Sequence, residues 1–133
     1  MDRLFLDANV LFSAAYRPDA GLRRLWSLRH AELCSSRYAV EEAKLNLSEE
    51  SQRRRLAMLV NRLSLFDPIA GTLPSGITLP EKDVPILLAA IATRATHLLT
   101  GDLQHFGPYL GKSVAGILVL LPGEYLRSAS RGR

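Results

Sequence analysis

Short apolar runs alternate with helix-patterned segments along this chain, and that alternation restricts the fold more than any other feature. Leu4-Phe5-Leu6 is a strand-like run that ends at Asp7. Residues 20–30 carry Leu22, Leu25, Trp26 and Arg29 at helical spacing, with the first three as the inner face. Residues 31–35 read as a second strand. Ser36 then caps a helix running to about residue 47, and Ser48 caps another, with Glu49 and Glu50 suited to its positive N-terminus. Leu56, Leu59, Val60 and Leu63 make an apolar stripe on that helix. Residues 65–69 suggest a third strand, and 71–80, rich in Gly, Pro, Thr and Ser, a loop. Residues 83–95 are apolar nearly all round, which predicts a buried helix with Pro85 tolerated in its first turn. Residues 97–100 and 116–121 complete five strands, and Pro122 opens a short last helix. Strands separated by helices imply βαβ units and a parallel sheet covered on both faces, an α/β protein.

Size and composition agree with one such domain. The chain has 133 residues, 47% hydrophobic and 23% charged, as in ordinary globular proteins. The expectation is a single domain over residues 1–127 and a polar, basic, frayed tail over 128–133. The longest apolar runs, 86–92 and 116–122, fall far short of the ~20 residues a membrane span needs. Met1-Asp2-Arg3 leads straight into a strand without a signal peptide, so no membrane role is expected. The single cysteine, Cys34, excludes an internal disulfide and suits a cytoplasmic location. Lys+Arg is 17 against 13 for Asp+Glu, a net charge of +4. All but Lys44, Lys82 and Lys112 of these bases are arginines, whose planar fork matches phosphate oxygens; GC-rich codons explain the same bias.

In parallel sheets ligands bind beyond the carboxyl ends of the strands. Each such place here holds an acid. Asp7 follows the first strand, and Asn9, two residues on, either holds Asp7 by its amide or caps the next helix. On the second helix Ala39, Val40, Ala43 and Leu47 fall within about 100° of one another, with Leu45 outside. Glu42 lies beside that arc, where a carboxylate needs a partner or a metal, whereas Glu41 points towards solvent. Asp83 opens the most apolar helix; N-capping and a place in the site are both open to it, and Glu81 competes for the second. Asp102 follows Thr100-Gly101, where glycine permits a sharp turn and Thr100 is placed to donate its hydroxyl.

Four acids converging on one edge would repel one another and raise each other's pKa. Divalent cations relieve that, and all-oxygen ligation suits Mg²⁺ or Mn²⁺. Metals so held activate water and stabilise the charge that builds on a phosphodiester. His30, His97 and His105 lack zinc-ligand spacing, and His97, opening a strand, reads as structural.

The order Leu6-Asp7-Ala8-Asn9-Val10, Val40-Glu41-Glu42-Ala43-Lys44-Leu45-Asn46-Leu47, Asp83-Val84-Pro85-Ile86-Leu87-Leu88-Ala89-Ala90 and Leu98-Leu99-Thr100-Gly101-Asp102 with His105-Phe106 resembles the PIN-domain family. These are metal-dependent ribonucleases that include the toxins of VapBC-type toxin–antitoxin pairs. The resemblance covers residues 4–121. It implies a three-layer α/β/α fold around a mainly parallel sheet, Mg²⁺ or Mn²⁺ in an acidic pocket, and hydrolysis of RNA phosphodiesters. The family's four acids fall on Asp7, Glu42, Asp83 and Asp102, and its supporting polar residues on Asn9 and Thr100. Ala8 departs from the family's usual Thr or Ser and removes one hydroxyl. An antitoxin partner is implied, and a homodimer is expected from the family and from the many apolar residues of a small chain.

A phosphatase with an aspartyl nucleophile wants a second Asp where Asn9 stands, and a receiver-type phosphoacceptor wants paired acids after the first strand. Neither is present. The remaining alternative is a non-catalytic PIN-like module that binds RNA or protein. Arg53-Arg54-Arg55 would serve it, although a solvated helix face explains that run as well.

Overall fold

The structure is a computed structural model that describes residues 1–67 and 70–131, with side chains up to Ala129. Six strands form one sheet: β1 (Asp2–Leu6), β2 (Ala31–Ser36), β3 (Ser64–Phe66), β4 (His97–Leu99), β5 (Ser113–Val114) and β6 (Ile117–Leu120). Their order is β3-β2-β1-β4-β6-β5, parallel throughout except for β5 against β6. Five helices accompany them: α1 (Ala8–Tyr16), α2 (Arg37–Asn46), α3 (Glu50–Val60), α4 (Val84–Ala92) and α5 (Pro122–Arg131). Parallel crossovers are right-handed. Connections stepping from β1 out to β3 and the one stepping back to β4 therefore lay their helices on opposite faces, giving three layers. Leu4, Phe5 and Leu6 of the central strand are fully buried, as an unbroken apolar run between two helical layers must be. This is the three-layer α/β/α arrangement expected.

Strand order reverses at β1, which has β2 on one side and β4 on the other. Such a switch point opens a crevice beyond the carboxyl ends of the two diverging strands. Asp7 leaves β1 and Thr100 leaves β4 there, one residue past each strand.

Several local expectations need correction. The stretch 20–30 is a 3-10 turn over Gly21–Ser27 rather than an α-helix. That winding eclipses positions i and i+3, so Leu22 and Leu25 still share an edge, and Trp26 is pinned by its Nε1–H donating to Leu59 O at 3.0 Å. Glu49, not Ser48, occupies the N-cap of α3, because Gln52 turns back to accept the Glu49 N–H at 3.1 Å. The third strand covers Ser64–Phe66; the 68–69 part of the expected run lies outside the described residues. The α4 helix ends at Ala92, short of 95. Strand β5 went unread because it is two residues long. It returns to β6 through Ala115 and Gly116, with φ of 52° and 82°, a left-handed pair that hairpin turns use. Helix α5 runs on to Arg131, so the expected tail is helical over 128–131, and 132–133 lie outside the described residues.

Candidate active site

Asp7 is the pivot of the crevice. Only 3% of it is exposed, and it serves as N-cap of α1. Its Oδ1 accepts the Ala8 N–H at 2.7 Å. Its Oδ2 accepts the Thr100 hydroxyl at 2.8 Å and Asn9 Nδ2 at 3.2 Å. Burial pushes its carboxyl up to about 6, helped by the charges of Asp83 and Glu42; the bonds from Thr100 and Ala8 restrain the rise.

Asn9 stands in the first turn of α1 and does not cap it. Its Nδ2 also reaches Thr100 Oγ1 at 3.3 Å, and its Oδ1 accepts the Gly101 N–H at 2.7 Å. Thr100 Oγ1 in turn accepts the Asp102 N–H at 3.1 Å. The two strand ends are thus stitched into one hydrogen-bonded unit. Gly101 has no left-handed φ, and a Cβ there would meet Asn9 Oδ1 at 3.4 Å, an ordinary contact. The turn accepts glycine but does not require it.

Asp102 divides its work between two oxygens. Oδ1 accepts the N–H groups of Gln104 and His105 at 3.1 and 2.9 Å, which shapes the loop. Oδ2 faces His105 Nδ1 at 2.9 Å. Asp83 sits in the N-cap position of α4, yet its side chain makes no capping bond. It turns away from the helix into the crevice, with the side chain 8% exposed and Oδ2 2.7 Å from His105 Nδ1. Of its two open roles the geometry thus excludes capping. Burial is the main reason its carboxyl is raised; Asp102 adds to the rise, and His105 and Lys82 oppose it.

Glu42 is half-buried and joins the crevice from α2, whose N-terminus Ser36 caps by accepting the Ala39 N–H at 3.1 Å. Glu41 and Glu81 are both exposed, Glu41 on a separate groove between α2 and α3. Asp7, Glu42, Asp83 and Asp102 line a single cavity of about 500 Å³, with Asn9 and Gly101 beside them. The four acids come from four segments of chain, and the structure brings all of them together.

Four neighbours escaped the sequence reading. Phe12, Asn46 and Lys82 line the same cavity, and His105 bridges two of its acids. Tyr38 braces the rim: its hydroxyl donates to Lys82 O at 2.6 Å, and burial, with the charges of Glu42, Asp83 and Asp7, raises its phenol. The expectation for His97 holds: it packs edge-on to Tyr125, with ring centroids 5.0 Å apart, away from the acids. Cys34 is buried in β2 and its thiol is pushed up to about 11, which removes it as a nucleophile. Arg55 is more than a solvated charge, since it donates to Ala15 O and Tyr16 O at 3.0 and 3.2 Å and so closes the C-terminus of α1. No helix among the described residues is long and apolar enough to cross a membrane.

No protein-family model matches the sequence, and no curated protein matches it either. Solved structures do resemble the fold. A chain of VapBC2 from Rickettsia felis, in a complex with a promoter DNA fragment, aligns with a TM-score of 0.65 at 20% identity, over 88% of this chain and 96% of that one. VapBC-1 from nontypeable Haemophilus influenzae aligns with a TM-score of 0.59 at 14% identity, over 91% of this chain and 98% of the other. FitAcB from Neisseria gonorrhoeae aligns at 0.56 and 19%, over 90% and 98%. At such identities the likeness speaks to the fold alone, and with the strand order it gives this chain the PIN-like three-layer α/β/α fold.

Proposed function

We propose that this protein is a metal-dependent ribonuclease, the toxin member of a VapBC-type toxin–antitoxin pair. The observation that carries the reading is the convergence of Asp7, Glu42, Asp83 and Asp102 on one cavity. The donor set fits a divalent cation: carboxylate oxygens suit Mg²⁺ or Mn²⁺, and Asp83 Oδ2 is buried without a well-aligned hydrogen-bond partner. Asp7, Glu42, Asp83 and Asp102 would hold the ion. A cation so bound supplies an activated water and stabilises the charge that develops on a phosphodiester.

The chain's own residues do the rest. Thr100 and Asn9 fix the orientation of Asp7 by donating to its Oδ2, so the carboxylate does not have to be ordered when substrate arrives. Lys82 is the basic side chain on the cavity wall and offers its ammonium to a phosphate. Phe12 gives the cavity an apolar wall against which an unpaired base can lie. The preference for RNA rests on the family resemblance, as does pairing with an antitoxin chain and with a second copy. The likeness of fold to VapBC and FitAB assemblies supports the antitoxin.

The test is cleavage of labelled transfer RNA, ribosomal RNA and single-stranded oligonucleotides in Mg²⁺, Mn²⁺ or chelator. Metal-dependent loss of label with the parent, and none with Asp102→Asn, is expected. Retention of RNA without cleavage in every metal would favour the non-catalytic binding module instead. Light scattering, alone and with a co-expressed partner, tests the two protein contacts.

A further inference from the structure

We propose that His105 is itself a metal ligand, its Nδ1 joining Asp83 and Asp102, and that this nitrogen makes the site prefer Mn²⁺ to Mg²⁺. The proposal rests on the metal site argued above. It concerns a residue outside the four acids, and it begins with the loop after β4. Asp102 Oδ1 accepts the N–H groups of Gln104 and His105, and Phe106 is buried to 1% exposure, so the backbone at His105 is held from both sides. The imidazole folds back over the turn. Nδ1 comes to rest 2.9 Å from Asp102 Oδ2 and 2.7 Å from Asp83 Oδ2, and one donor atom from each of the three side chains lies within 4.8 Å of the others.

A histidine this close to two carboxylates is either a hydrogen-bonding brace or a fellow ligand. A brace would aim its N–H along the axis to one oxygen. Here Nδ1 and Asp83 Oδ2 are both buried, and neither has a hydrogen-bond partner of acceptable alignment. Two carboxylate oxygens thus crowd one ring nitrogen at 2.7 and 2.9 Å without a bond that satisfies it, and a cation shared by the three donors would relieve that crowding. Asp83, with its side chain 8% exposed and without a capping bond, has no other evident use for Oδ2.

The consequence is metal choice. Carboxylate and water ligands suit Mg²⁺ and Mn²⁺ alike, but an imidazole nitrogen is tolerated better by a first-row transition ion than by hard Mg²⁺, so this donor tilts the site towards Mn²⁺. The experiment is pulsed EPR on the full-length protein loaded with Mn²⁺, with calorimetric titration of Mn²⁺ and Mg²⁺ and no RNA present. The parent should show the ¹⁴N modulation of a directly bound imidazole. His105→Gln should lose it, bind Mn²⁺ at least about tenfold more weakly, and change much less towards Mg²⁺. His105→Asn serves if the glutamine variant does not fold. Mn²⁺ bound by the parent without nitrogen coupling, or coupling that survives in both variants, would overturn the role of His105 while leaving the four-acid site standing. A parent that binds no Mn²⁺ at all overturns both.

Discussion

Thr100 Oγ1 donates to Asp7 Oδ2 at 2.8 Å across 93 positions of sequence, and this bond joins the ends of the two strands that diverge at the switch point. Thr100→Val keeps the shape and removes the donor. It also strips Asp102 N–H of its acceptor. A buried group left unsatisfied costs about 1–3 kcal/mol, so the variant should melt earlier by that measure. Because the Thr100 bond lowers the Asp7 carboxyl, that carboxyl should titrate higher still in the variant, which ¹³C NMR of the side chain reads directly.

Asp7 itself sets a pH dependence in the metal-free protein. Its folded-state value is about 6 against an ordinary 3.8, so between those limits the folded state holds a proton that the unfolded chain has released. Stability therefore falls as pH rises from about 4 to about 6, and the penalty persists above; a shift of two units is on the order of 3 kcal/mol. Asp7→Asn removes the charge but sets an amide against two donors. In chelator at pH 7 we expect it to be more stable than the parent by about 1–2 kcal/mol, with the ranking reversing by pH 4 as protonation relieves the parent of the Asp7 penalty. Melting curves across that range decide it. Added Mn²⁺ should reverse the ranking, since it stabilises only the form that binds it.

Asp102→Asn separates the turn from the site. Asn Oδ1 can still accept the N–H groups of Gln104 and His105, so the metal-free variant should melt within about 1 kcal/mol of the parent. The upward shift in melting temperature on adding Mn²⁺ should shrink, and cleavage should vanish. An active variant with an undiminished metal shift would end the four-acid reading.

Arg55→Ala tests a different use of charge. It deletes the bonds to Ala15 O and Tyr16 O and should cost about 1 kcal/mol in melting experiments. RNA affinity should be unchanged, whereas Arg53→Ala, at an exposed position, should leave stability unchanged.

The fold and the acids were legible for physical reasons. Leu4-Phe5-Leu6 is apolar at every position because both faces of β1 are covered, and Asp7 marks where the strand ends. Glu42 was separable from Glu41 because a helix has a period, and only Glu42 sits at the edge of the packed face. His105 had no such signature. Its position comes from side-chain-to-backbone bonds in a three-residue turn, which leave no periodic trace in the sequence. The uncapped Asp83 was equally hidden: residue type at a helix start argues for a cap, and only the cavity beyond it explains why the side chain turned away. The 3-10 turn at Gly21–Ser27 shares its i, i+3 spacing with an α-helix, so patterning could not tell the two apart.

The switch-point arrangement also fixes when the site comes into being during synthesis. Asp7 and Glu42 are made early, and β1 and β2 can pair as soon as both have emerged. The other wall waits for His97–Leu99, since β4 must be laid beside β1 before Thr100 can reach Asp7. The closing contacts span more than ninety residues, and such long-range pairings form late because loop closure precedes any gain from contact. A nascent chain on the ribosome therefore carries half a site for most of its translation. On the ribonuclease reading proposed above, the chain would become able to attack the RNA around it only near the end.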